Sequence, residues 1–80
     1  MERLKNSNKV VGLKQSQKAV LRGNALIAYV AEDAVPWKVE PFVELCKNSN
    51  IEVVSVLSMK ALAKACHVDV PTAVAVLVKE

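Results

Sequence analysis

Seven consecutive apolar residues, "ALIAYVA" from Ala25 to Ala31, do most to limit the folds open to this chain. Branched and aromatic side chains without alternation suit a strand that is covered on both faces, and such strands belong to sheets with helices packed on either side. Two further runs repeat the signal, "IEVVSVL" and "TAVAVLVK". The segments between them read as helices. "QSQKAVLR" is stopped by Gly23, which suits the left-handed position after a helix. From Trp37 to about Asn48, apolar Val39, Phe42, Val43, Leu45 and Cys46 recur at three- and four-residue steps, with Glu40, Glu44 and Lys47 outside. Pro41 falls inside this span and marks either a helix start or a kink. Ser58 is placed to cap a helix from Met59 to about Cys66, and "HVDVP" reads as a loop. Residues 2–8 are polar and helix-permissive, and "VVGL" is a short extended element. The fold class predicted is α/β, a three-layer α/β/α sandwich around a small mixed four-stranded sheet.

With 80 residues there is room for one domain, 1–80, and a composition that is 52% hydrophobic rules out a disordered tail. Cys46 and Cys66 form no CxxC and no dense framework, so both read as small buried hydrophobes in a reduced cytoplasmic protein. The polar start "MERLKNSNK" predicts no secretory leader, and no run reaches the roughly 18 apolar residues of a membrane span. The net charge of +3 is unevenly spread: residues 1–22 hold six cations against Glu2 alone, whereas residues 23–57 hold five acids against Lys38 and Lys47. A cationic front end on an acidic body is the footprint of nucleic-acid binding, or else a soluble surface with scattered lysines.

Catalytic chemistry finds no support. His67 has no neighbouring nucleophile or partner base, and Glu32 and Asp33 read as turn-forming polar residues. No phosphate-loop, dinucleotide or metal-ligand spacing occurs, so no cofactor and no metal are expected. The stretch "VVGLKQSQKAVLRG" is more informative. On a helix, steps of four place Lys14, Lys18 and Arg22 on one stripe about 80° wide, with Ser16, Ala19 and Val20 turned away to pack. The helix begins near Gly12 and Leu13 without a Ser, Thr, Asp or Asn cap, which leaves first-turn N–H groups for an outside acceptor unless Ser16 caps a later start. From residues alone, an anion site and a solvated face both fit. In the "HVDVPTA" loop, Val68 and Val70 either face a partner or enter the core, with the core the safer expectation; Trp37 is likewise read as packing rather than as a stacking platform.

Taken in order, "VVGLKQSQKAVLRGNALIAYVAEDAVP" and "PFVELCKNSNIEVVSVLSMKALAKACHVDVP" resemble the ribosomal L-seven-Ae family of kink-turn RNA-binding proteins, close to its small stand-alone bacterial members. The resemblance implies the same sandwich and recognition of a sharply bent RNA duplex with tandem sheared G·A pairs. Gly12 matches a glycine that allows close backbone approach, with Leu13 beside it. Lys14 and Gln15 match the positions contacting the G·A bases, Lys18 a lysine of the same site, and Arg22 a phosphate-contacting position. Val68, Asp69, Val70 and Pro71 match the loop that covers flipped-out nucleotides. The chain departs from the family at several points. Lys14-Gln15 stand where archaeal and eukaryotic members typically carry Asn-Glu, Val35 replaces an acid, Met59 a lysine, and His67 a glycine. The resemblance implies a non-catalytic, ribosomal or ribosome-associated protein, a cytoplasmic monomer that binds structured RNA such as ribosomal RNA or a riboswitch-like RNA and no membrane. The competing reading is a protein-interaction module using the basic N-terminal face. An accessory domain of an RNA-modifying enzyme ranks third, since 80 residues include no cofactor-binding segment.

Overall fold

The computed structural model describes residues 8–78, so the expected helical reading of residues 2–7, with Arg3 and Lys5, and the last two residues, Lys79 and Glu80, lie outside the described residues. The order is β1 (Lys9–Val11), α1 (Leu13–Leu21), β2 (Ala25–Ala31), α2 (Pro36–Asn48), β3 (Glu52–Val56), α3 (Met59–Ala65) and β4 (Val74–Val78). The strands form one sheet in the order β1-β4-β2-β3. β4 runs antiparallel to both β1 and β2, while β2 and β3 are parallel. Helices α1 and α2 pack together on one face, and α3 packs against β2, β3 and β4 from the other. The architecture is the expected three-layer sandwich around a mixed sheet.

The apolar runs become strands because the two central ones have no solvent-facing side. Val74 to Leu77 of β4 and Ala28 to Ala31 of β2 are all buried, against Val20, Phe42 and Leu62 from the helices. Leu26 departs from the expectation of a fully covered β2. Ala25 pairs with Val78 and Ile27 with Leu77, so Leu26 is the extra residue of a bulge and is swung outward. Pro41 neither starts nor ends α2, which runs unbroken from Pro36 to Asn48 with Val39, Phe42 and Cys46 buried. Cys46 and Cys66 are free and buried in different layers, and burial pushes both thiols above their ordinary value of 9.0.

All three helices end alike. Gly23, Asn50 and His67 take left-handed backbone at φ 75°, 58° and 60°. At each end the next residue donates back into the last turn: Asn24 N–H to Ala19 C=O, Ile51 N–H to Cys46 C=O, and Val68 N–H to Ala63 C=O, at 3.0, 2.9 and 3.0 Å. These bonds satisfy carbonyls that the helix leaves open and turn the chain sharply toward the next strand.

Candidate nucleic-acid interface

Since β1, β2 and β3 run in one direction and β4 in the other, the C-terminal ends of the first three meet the N-terminus of β4 at one end of the sheet. The N-termini of α1, α2 and α3 follow directly from those strands and point to the same end. Backbone bonds join the connections there. Gly12 N–H donates to Val74 C=O at 3.0 Å, and Ala31 N–H donates to Ala73 C=O at 2.8 Å. Thr72 N–H donates to Met59 C=O at 3.2 Å, and Met59 N–H donates to Asp33 Oδ1 at 2.7 Å. The start of α1 and the loop before β4, 56 residues apart between Gly12 and Val68, thereby lie at one end of the sheet.

Gly12 is the N-cap of α1, with φ 101° and ψ 150° and no side-chain cap. That backbone is one that residues with a Cβ rarely adopt. Nothing stands within 4 Å of where a Cβ would be, so a partner can approach the backbone closely. No acidic side chain lies in the first turn, which leaves the N–H groups and the positive end of the helix dipole without internal compensation. Leu13 turns its side chain onto the core and anchors this turn. Lys14, Gln15, Lys18 and Arg22 are exposed, whereas Ser16, Ala19 and Val20 are buried, in the arrangement that the four-step spacing predicts. Arg22 closes the stripe at the C-cap, roughly 15 Å along the axis from Gly12 at 1.5 Å per residue. Ser16 begins no later helix: it lies inside α1, and its buried hydroxyl has no partner among the described residues.

The loop before β4 divides in two. Val68 packs onto the core while Asp69, Val70 and Pro71 are exposed, Val70 at 66%. The expectation that Val70 enters the core is thus corrected. The loop is held as a turn, with Thr72 Oγ1 donating to Val70 C=O at 3.3 Å, and only one of its two valines can reach the sheet. With Lys60, Ala63 and Lys64 of α3 the loop borders a depression of about 420 Å³.

Two features escaped sequence reasoning. Asp33, read as a plain turn residue, carries the carboxylate that receives the first N–H of α3 and so locks the β2–α2 connection to the β3–α3 connection. Its only sequence signal is an acid just after a buried strand. Trp37, expected to pack, is 75% exposed, because it falls on the face of α2 opposite the buried Val39, Phe42 and Cys46. Among the described residues, no helix is long and apolar enough to cross a membrane, and no three His, Cys, Asp or Glu side chains gather as metal ligands.

Comparison with known proteins gives a consistent result. The model of the ribosomal protein L7Ae/L30e/S12e/Gadd45 family matches residues 1–80. An RNA-binding protein of Geobacillus sp. (strain WCH70) is 41% identical over 70 residues, covering 88% of this chain and 85% of its own. An RNA-binding protein of Caldanaerobacter subterraneus subsp. tengcongensis is 39% identical over 67 residues, covering 84% and 82%. Among solved structures, the Giardia lamblia 15.5kD RNA binding protein superposes with a TM-score of 0.83 at 34% identity, over 90% of this chain and 61% of that one. A protein of unknown function from Bacillus halodurans shares the fold, with a TM-score of 0.81 at 21% identity over 89% of this chain and 71% of its own.

Proposed function

Because the chain belongs to the ribosomal protein L7Ae/L30e/S12e/Gadd45 family, we propose that it is a single-domain, non-catalytic RNA-binding protein that recognises and stabilises kink-turn RNA. The observation that carries the reading is the 3.0 Å bond from Gly12 N–H to Val74 C=O, which ties the uncapped start of α1 to the start of β4, at the end of the sheet that the Val68–Pro71 loop leads into. A kinked duplex presents two things at once: crowded phosphates around sheared G·A pairs, and unpaired nucleotides flung from the bend. The surface has a counterpart for each. Gly12 and Leu13 admit the RNA backbone, the Lys14 and Gln15 heads hydrogen-bond base edges, and Lys18 and Arg22 offset the phosphates. Val70 and Pro71 cover the extruded nucleotides, with Val68 holding the loop down and Asp69 exposed beside them. Binding energy that exists only in the bent form shifts the RNA toward it. The protein acts as a cytoplasmic monomer, ribosomal or ribosome-associated.

The test is a titration of fluorescently labelled kink-turn RNA across a salt series. Lys18→Ala and Arg22→Ala are each expected to weaken binding and to reduce the slope of log K against log salt by roughly 0.7 to 0.9. An unchanged slope in both variants removes α1 from the interface.

A further inference from the structure

The outer face of α2 belongs to no part of the proposed RNA surface, and it breaks several local rules at once. Trp37 is 75% exposed. Pro41 occupies a helix interior, where it lacks an N–H and leaves the Trp37 carbonyl without its usual partner. Glu40 and Glu44, both exposed, stand four residues apart, a like-charge spacing that destabilises an isolated helix. These residues share one helix face and, with Val43 and Lys47, line a shallow depression of about 540 Å³. A solvated helix has no use for this combination, and local rules are broken most often where a protein binds something.

We infer that this depression docks an arginine- and lysine-rich segment of another protein. Each feature matches a part of such a ligand. The Trp37 ring offers a face for a guanidinium, and Glu40 and Glu44 receive neighbouring cations. Pro41 and Val43 supply the apolar floor for the aliphatic stems of those side chains. Charge favours this occupant over RNA, because Glu40 and Glu44 outnumber Lys47 around the depression and two carboxylates repel phosphates. The protein is then two-sided: cationic along α1, with a depression on α2 that pairs an aromatic anchor with two carboxylates. This inference does not depend on which RNA the other side binds.

Trp37 is the single tryptophan, so its emission reports occupancy directly. The probe is a labelled synthetic peptide of repeated Arg-Ala-Ala-Lys units, with one of repeated Glu-Ala-Ala-Asp units as control. The full chain is expected to bind the basic peptide with a shift in Trp37 emission and to ignore the acidic one. The double variant E40Q/E44Q is expected to weaken binding about threefold to tenfold, and Trp37→Ala to weaken it again about threefold, neither with a lowered circular-dichroism melt. Kink-turn RNA is expected to leave Trp37 emission unmoved, and Trp37→Ala to leave RNA affinity unaltered. Equal binding of both peptides, or of the double variant and the parent, overturns the inference. So does an RNA affinity that falls with Trp37→Ala, which makes the face part of the RNA surface, or a dimer in light scattering that Trp37→Ala abolishes, which makes a second copy its occupant.

Discussion

Ser16 sits fully buried in α1 with its hydroxyl unpaired among the described residues, so Ser16→Ala is expected to stabilise the protein. Removing an unsatisfied buried polar group recovers its desolvation cost, and alanine is the better helix former. A gain of about 1 kcal/mol corresponds to about 4 to 8 °C in Tm for a domain of this size. A thermal melt that drops instead shows that the hydroxyl has a partner the native state depends on. The burial of position 16 was legible from its place opposite the Lys14, Lys18 and Arg22 stripe, since helical periodicity assigns faces whatever the polarity of the residue. Loop positions have no such periodicity. Val70 carries a strongly apolar side chain, and whether it is buried depends on which segment passes over it, which only the assembled fold decides. Trp37 lies in α2 on the face opposite Val39, Phe42 and Cys46, so its exposure follows from the same helical periodicity.

At the scale of elements, the helix ends make the sharpest prediction. Gly23 and Asn50 are residues that tolerate left-handed backbone, and the sequence marks Gly23 as a helix stop. His67 takes the same conformation with a full side chain, so the left-handed helix end forms here without a glycine or asparagine. The bonds from His67 N–H to Lys64 C=O at 3.2 Å and from Val68 N–H to Ala63 C=O at 3.0 Å hold it there. Left-handed backbone costs a side-chain-bearing residue about 1–2 kcal/mol, part of which glycine returns through its greater freedom in the unfolded chain. His67→Gly is therefore expected to raise stability by about 0.5–1 kcal/mol, read as the free energy of urea unfolding at constant m. A decrease shows that the imidazole makes contacts worth more than the strain. Strand identity was legible from composition, because β2 and β4 are buried on both sides, but the bulge at Leu26 was not. A bulge is set by pairing register, and a single strand read alone contains no register.

At the scale of the molecule, alternating apolar strands and amphipathic helices were enough to indicate a layered α/β sandwich. The strand order β1-β4-β2-β3 was not legible from that pattern, since nothing in "TAVAVLVK" says that it inserts between β1 and β2. Yet the proposed site depends on that insertion. It brings the start of β4 against Gly12 and Ala31, which puts the start of α1 and the Val68–Pro71 loop at one end of the sheet. The candidate residues of α1 were readable singly from spacing and resemblance; their meeting with the loop, and the Asp33 carboxylate that braces it, follow from topology. If this surface reads a bent RNA by its G·A pairs and not merely by its charge, affinity has to depend on those pairs. The decisive measurement is the fluorescence anisotropy of a labelled kink-turn RNA against a duplex of equal length and charge in which Watson–Crick pairs replace the sheared G·A pairs, both at one salt concentration. Since each base contact contributes about 1–3 kcal/mol, the kink-turn is expected to bind at least about tenfold more tightly. Equal affinity for the two RNAs contradicts the account.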